Sequence, residues 1–122
     1  MISIVDDDAS VRAATRTLLR SAGYRVQTFA SADDFLKSGV LDLTECVILD
    51  VRMPGIDGLE LQRRLHLAGS RVPIIFITAH DDGSLRQRVM KAGAVDLLHK
   101  PFGAQALLES LQRALEKREN RA

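Results

Sequence analysis

The stretch CVILDVRMPGIDG, residues 46–58, drives four apolar side chains straight into an acid. Val47, Ile48 and Leu49 are the residues of a strand buried on both faces. Asp50 then ends the run, with no charged neighbour before it. A buried carboxylate without a partner is costly, so this strand has to deliver Asp50 to a place where something compensates it. Pro54, Gly55 and Gly58 mark the loop beyond, and LELQRRLHLAG (59–69) carries a helical pattern.

The same rhythm extends in both directions. Before the stretch, ISIV (2–5) reads as a strand and ASVRAATRTLLRSAG (9–23) as a helix. In that helix Val11, Ala14, Leu18, Leu19 and Ala22 form one face, and Gly23 is the stop. RVQTF (25–29) is a more polar strand, as expected near a sheet edge, and SADDFLKSG (31–39) opens with a capping-box pairing of Ser31 and Asp34. After it, VPIIFIT (72–78) is apolar on both faces, SLRQRVMKAG (84–93) is helical, and AVDLLHK (94–100) is a weaker strand. AQALLESLQRALEKREN (104–120) places Leu107, Leu108, Leu111, Ala114 and Leu115 on one stripe. Five strands alternating with five helices predict an α/β fold, with a five-stranded parallel sheet and helices on both faces. Right-handed crossovers leave few topologies, and the common strand order for such a chain is 2-1-3-4-5.

A chain of 122 residues suits one domain, and a 46% hydrophobic share supplies a single core. The 17 basic and 16 acidic residues nearly cancel, which gives the domain no general pull toward DNA or an anionic membrane. Cys46 is the single cysteine, so an internal disulfide and a cysteine metal cluster are both excluded, and a buried structural thiol is expected. MISIVDDD meets three acids after five residues, unlike a secretory signal, and runs such as VPIIFITA are too short to span a bilayer. The expected compartment is the cytoplasm. The polar EKRENRA at the end reads as a domain of 1–117 passing, from 118–122, into a linker toward a further domain.

In open α/β sheets ligands sit beyond the carboxyl ends of the strands, where the strand order reverses. Order 2-1-3-4-5 puts that reversal between the first and third strands, so Asp6, Asp7 and Asp50 converge in one crevice. Three carboxylates this close repel, each pair by about 4 kcal/mol at ~4 Å and an effective dielectric near 20, so the cluster calls for a proton or a cation. An all-oxygen site with room for water suits Mg²⁺. A plainer role is open to Asp7 or Asp8, either of which could cap the first helix. Thr78 ends the fourth strand and Lys100 the fifth, at spacings of 78−50 = 28 and 100−78 = 22 residues, each about one βα unit. Acids, a hydroxyl and an ammonium on one rim fit phosphoryl transfer to a carboxylate, with Asp50 as nucleophile.

Taken together, IVDDD (4–8), LDVRMPGIDG (49–58), FITAH (76–80) and LLHKPF (97–102) resemble the receiver domain of two-component response regulators, over essentially the whole chain. The resemblance implies a flavodoxin-like, CheY-like fold of order 2-1-3-4-5 and a signalling domain rather than an enzyme. By position it makes Asp50 the phosphoacceptor, Asp6 and Asp7 the acidic pair that holds Mg²⁺, and Arg52 the residue whose carbonyl completes the metal site. Thr78 matches the switch hydroxyl and Lys100 the lysine that pairs with the acceptor and then the phosphate. The family's bond corresponding to Lys100–Pro101 is cis. Where many members carry an aromatic three residues before the lysine, this chain has Leu97, expected to be a packing residue that shifts with its strand. Arg52 and His80 fall at positions that tune phosphate lifetime in the family, and are otherwise solvated loop residues. Gly103 stands where an Asp cap is frequent, while His66 and His99 read as surface residues.

VDLLHKPF (95–102) and TAHDD (78–82) are most similar to the FixJ-like subgroup, in which the receiver is joined to a LuxR-type helix-turn-helix domain. That similarity implies a sensor histidine kinase as partner and homodimerisation on phosphorylation through the helix 4, strand 5 and helix 5 face. DNA would then be bound only through an output domain absent from this chain. Three other readings compete. An aspartyl phosphatase would place its nucleophile on the first strand, with a second acid two residues later. A flavodoxin-like nucleotide module would need a Gly- or Ser/Thr-rich loop where this chain has DDDAS. A receiver-like interaction module would have lost phosphate chemistry, yet every group that chemistry needs is present; a stand-alone relay receiver is also open.

Overall fold

The computed structural model of the protein describes residues 1–80 and 83–119. Five strands, β1 (Ile2–Val5), β2 (Val26–Phe29), β3 (Cys46–Asp50), β4 (Ile74–Thr78) and β5 (Asp96–His99), form one parallel sheet in the order β2-β1-β3-β4-β5. Between and after them run α1 (Ala9–Ser21), α2 (Ala32–Ser38), α3 (Gly58–Leu67), α4 (Leu85–Lys91) and α5 (Ala104–Glu119), so fold class and strand order are as expected. A short 3₁₀ turn, Leu41–Leu43, precedes β3 and has no counterpart in the sequence reading.

The period-2 pattern of the strands divides the core in two. Val5, Val47, Leu49, Ile74, Phe76 and Leu97 pack against α2, α3 and α4 through Phe35, Leu61, Leu65, Leu85 and Val89. Ile2, Ile4, Ile48, Ile75 and Ile77 face the other way, onto Leu19 of α1 and Leu107, Leu111 and Ala114 of α5. Cys46 is buried in this second layer, and burial pushes its thiol up to about 12, so it is an inert apolar group. The α5 stripe is as predicted. On α1 the expected face needs correction: Ala14 and Ala22 are exposed, whereas the polar Thr15 is buried beside Leu19. Small apolar residues fit either side of a helix, so periodicity alone misassigns them.

The Ser31 cap is as the sequence predicts, and Asp57 adds a cap on α3 that the sequence reading did not name. Ser31 Oγ accepts the Asp34 amide at 3.0 Å, and Asp57 Oδ1 accepts the Glu60 amide at 2.8 Å. Gly103, directly before α5, brings no side chain to its start. The Lys100–Pro101 peptide is cis. α5 continues through Glu119; residues 120–122 of the expected linker, and Asp81 and Asp82 of TAHDD, lie outside the described residues.

Candidate functional site

Strand register brings the acids together. Val5 is level with Leu49, so Asp6 and Asp50, one residue further along each strand, meet where β1 and β3 end. A carboxylate oxygen from each of Asp6, Asp7 and Asp50 lies within 4.8 Å of the others. Asp6 is fully buried and Asp50 nearly so, while Asp7 is exposed at the mouth. β5 brings Lys100 into the same crevice, its backbone amide held by the Thr78 carbonyl at 2.8 Å. Lys100 Nζ then stands 2.9 Å from Asp6 Oδ2 and 3.3 Å from Asp50 Oδ2.

Burial, and then the neighbouring Asp6 charge, push the Asp50 carboxyl up to about 7; Lys100 opposes this without cancelling it. Burial by itself would lower the Lys100 pKa, but hydrogen bonding to Asp6 and the charges of Asp50 and Asp6 outweigh it and hold the ammonium above its usual range. One positive charge thus stands against the oxygens of two buried acids. Asp6 Oδ2 is buried and its one partner among the described residues is the Lys100 ammonium, an ion pair that leaves the oxygen short of its hydrogen-bonding capacity. An unsaturated, buried, negatively charged oxygen beside two further carboxylates fits a hard divalent cation that takes oxygen ligands. The donor set is compatible with Mg²⁺.

Thr78 is buried at the end of β4, and its hydroxyl is engaged within its own loop. It donates to the His80 carbonyl at 2.8 Å and accepts the His80 amide at 3.1 Å. Arg52 is exposed, and its backbone amide donates to Asp50 Oδ1 at 3.3 Å. His80, His66 and His99 are all exposed. Leu97 is buried among the α4 side chains, its amide donating to Asp96 Oδ1 and its carbonyl accepting from Arg86.

The residues that build the turn around the acids were less legible in the sequence. Of the two cap candidates for α1, Asp8 does it, accepting the Ser10 and Val11 amides. The Asp8 amide in turn donates to Asp6 Oδ1 at 2.9 Å, which fixes one Asp6 oxygen and leaves the other facing the crevice. Arg12 reaches back from α1 to donate from Nη1 to the Asp6 carbonyl at 2.8 Å. Gly58 is the first residue of α3 rather than a loop residue. Its amide donates to the Val51 carbonyl at 2.9 Å, and a Cβ there would lie 2.4 Å from the Asp50 carbonyl oxygen. The signal for Gly58 was its place in the quoted motif; Arg12 gave none beyond being a basic residue near a helix start.

Comparison with known proteins agrees with this geometry. Residues 2–112 match the response regulator receiver domain family, and the chain belongs to that family. Among individual proteins it is 44% identical over 117 residues to Nodulation protein W of Bradyrhizobium diazoefficiens, covering 96% of this chain and 52% of that protein. The transcriptional regulatory protein FixJ of Azorhizobium caulinodans is 40% identical over 114 residues, which are 93% of this chain and 54% of FixJ. The solved structure of the response regulator StyR superposes with a TM-score of 0.91 at 47% identity, covering 98% of this chain and 61% of that one. The chain therefore spans about half the length of the curated relatives it matches. It is a receiver domain of the two-component kind, a signalling module rather than a classical enzyme. Among the described residues no helix is long and apolar enough to cross a membrane.

Proposed function

We propose that the domain accepts a phosphoryl group on Asp50 and uses it to switch a protein surface. The observation that carries the reading is the buried Asp50 carboxylate, paired at 3.3 Å with Lys100 and facing Asp6 across the β1–β3 crevice. Asp6, Asp7 and Asp50, with the Arg52 carbonyl, would hold Mg²⁺, which supplies neutralisation of phosphoryl oxygens when bound. An Asp50 carboxylate oxygen attacks phosphorus while the bond from phosphorus to the donor's nitrogen or oxygen breaks, its electron pair leaving with the donor. Lys100, already between two acids, moves its charge onto the incoming phosphoryl oxygens. Thr78 must exchange its hydrogen bond to the His80 carbonyl for one to the phosphoryl group, which pulls its loop inward.

The donor is a phosphohistidine of a sensor histidine kinase or a small acyl phosphate, and the compartment is the cytoplasm. Leu97, packed against α4 with its backbone tied to Arg86, carries the loop movement into β5 as a shift of the strand. The α4–β5–α5 face then pairs with a second copy. In the longer protein, residues from 118 onward lead to a DNA-binding transcriptional output domain, the part that would touch DNA. Names such as that of FixJ, a transcriptional regulatory protein, support that output.

Incubation with Mg²⁺ and acetyl phosphate tests the chemistry. Wild type should gain one phosphoryl group by intact mass and Asp50→Asn none; equal incorporation in both, or none in either, refutes Asp50 as acceptor. Gel filtration with beryllofluoride tests the switch, and an elution volume unchanged at high protein concentration refutes dimerisation of the domain.

A further inference from the structure

Asp6 is the first residue past β1, and its backbone carbonyl falls outside the sheet ladder. A buried carbonyl needs a donor. Arg12 supplies it from one turn into α1, at 2.8 Å, although the guanidinium is only half-buried. No ion pair joins Arg12 to a carboxylate among the described residues, despite three acids at the neighbouring strand ends. Its cation is spent on a backbone oxygen. Besides the Lys100 ammonium at 2.9 Å from its Oδ2, Asp6 donates its amide to the Phe29 carbonyl at 3.1 Å and accepts the Asp8 amide on Oδ1 at 2.9 Å. Among the described residues Arg12 is thus the single side chain that ties the Asp6 backbone to α1; the other hydrogen bonds of the turn are donated by backbone amides, two of them to the Asp8 carboxylate.

We propose that Arg12 is a positioning residue for the cation site. By holding the Asp6 carbonyl it fixes the peptide from which the buried Asp6 carboxylate projects, so that Oδ2 faces the crevice while Oδ1 stays on the Asp8 amide. The inference rests on the reading of the acidic cluster as a Mg²⁺ site. Arg12 touches neither the cation nor the phosphoryl group in this proposal; it acts through Asp6. Two effects of removing it have opposite sign. Losing a nearby positive charge strengthens binding of a divalent cation, whereas loosening the turn weakens it. At the half-exposed edge of the domain the charge effect is screened, and the hydrogen bond to a buried carbonyl is the larger contribution.

The test uses the full chain as wild type, Arg12→Met and Arg12→Lys. Mg²⁺ affinity is measured by calorimetry, and amide hydrogen exchange is followed without metal. Arg12→Met should bind Mg²⁺ about three- to tenfold more weakly, as expected for one lost charge-assisted hydrogen bond. Arg12→Lys, which keeps a donor of similar reach, should recover part of that loss. In the metal-free protein the Asp8 amide should exchange faster in Arg12→Met, while Ile48 and Phe76 in the central strands stay protected. Tighter Mg²⁺ binding in Arg12→Met, or an unchanged Asp8 amide, overturns the proposal. Absence of Mg²⁺ binding to wild type refutes the metal site instead, and the exchange rates still decide whether Arg12 holds the turn.

Discussion

Gly58→Ala places one methyl group where the backbone at the end of β3, which carries Asp50, already stands. The new Cβ would lie 2.4 Å from the Asp50 carbonyl oxygen and 3.0 Å from the Val51 Cα. Carbon–oxygen contacts settle near ~3.3–3.6 Å, so α3 has to retreat by about 1 Å. Both contacting atoms belong to the backbone of a central strand, which cannot swing aside as a side chain would. The retreat also stretches the hydrogen bond from the Gly58 amide to the Val51 carbonyl, 2.9 Å in the intact protein. Overpacking costs about 1–3 kcal/mol and a weakened hydrogen bond about 1 kcal/mol. Alanine's better helix propensity returns at most about 1 kcal/mol. The net loss is about 2–3 kcal/mol, a fall in Tm of roughly 5–15 °C for a domain of this size. Urea unfolding followed by circular dichroism measures it. Gly103→Ala is the control: its φ is not in the left-handed region and its Cβ would meet nothing within 4 Å. Because the displaced atoms carry Asp50 itself, phosphorylation by acetyl phosphate should also slow in Gly58→Ala at saturating Mg²⁺. Equal unfolding midpoints for the two variants would refute the steric argument.

Three further substitutions probe the charged groups. Burial pushes the Asp50 carboxyl up to about 7, so folding favours its neutral form; the contribution of Asp50 to metal-free stability is greatest below about pH 4 and is lost as pH rises through about 7. Asp50→Asn avoids that loss and should gain about 1–2 kcal/mol over wild type at pH 8, after allowance for solvent screening, and little at pH 4; a gain equal at both values contradicts the assignment. Asp96→Ala should cost about 3 kcal/mol at pH 7 while leaving phosphorylation at saturating Mg²⁺ within about twofold, because Arg86, Ser110 and Arg113 lose their shared acceptor far from the acids. Lys100→Met should bind Mg²⁺ about tenfold more tightly by calorimetry, since the cation competing for Asp6 and Asp50 is gone, yet accept phosphate more slowly; weaker Mg²⁺ binding refutes that competition.

What the sequence disclosed, and what it hid, divides along physical lines. Apolar runs such as CVILD and IIFIT announce central strands because both of their faces are buried, and strand ends then locate Asp50, Thr78 and Lys100 without further help. Rotamers are another matter. Nothing in FITAH reveals that the Thr78 hydroxyl closes on the His80 carbonyl, since that choice belongs to the loop. The choice between Asp7 and Asp8 as cap was equally undecided until the Asp8 carboxylate was seen on the Ser10 and Val11 amides. Asp96 was read as a weak-strand residue, yet it is a buried acid held by Arg86 from α4 and by Ser110 and Arg113 from α5. Its partners lie 10, 14 and 17 residues away on two helices, α4 and α5, beyond any local pattern. The same holds for Gly58, whose motif suggests a turn but whose requirement comes from a strand it packs against.

Lys100 and Arg12 both stand at the acidic crevice, and their geometry assigns them different work. Lys100 Nζ lies against the carboxylate oxygens themselves, at 2.9 and 3.3 Å, so it would compete with a bound cation and, under the proposed function, yield charge to an incoming phosphoryl group. Arg12 lies behind the same acid and holds a carbonyl, so it fixes where the carboxylate points without neutralising it. A site meant only for stability would gain by turning both cations onto the acids. Here the buried Oδ2 of Asp6 has only the shared Lys100 ammonium against it, and Asp50 is held in an environment that favours its protonated form. Under the proposed function a single event, the arrival of a divalent ion with a phosphoryl group, would relieve both costs by converting the repulsion among three acids into ligation. Stability would then be coupled to the occupancy of the crevice, and the sign of the Mg²⁺ response in the Lys100 and Arg12 variants separates charge from position as the source of that coupling.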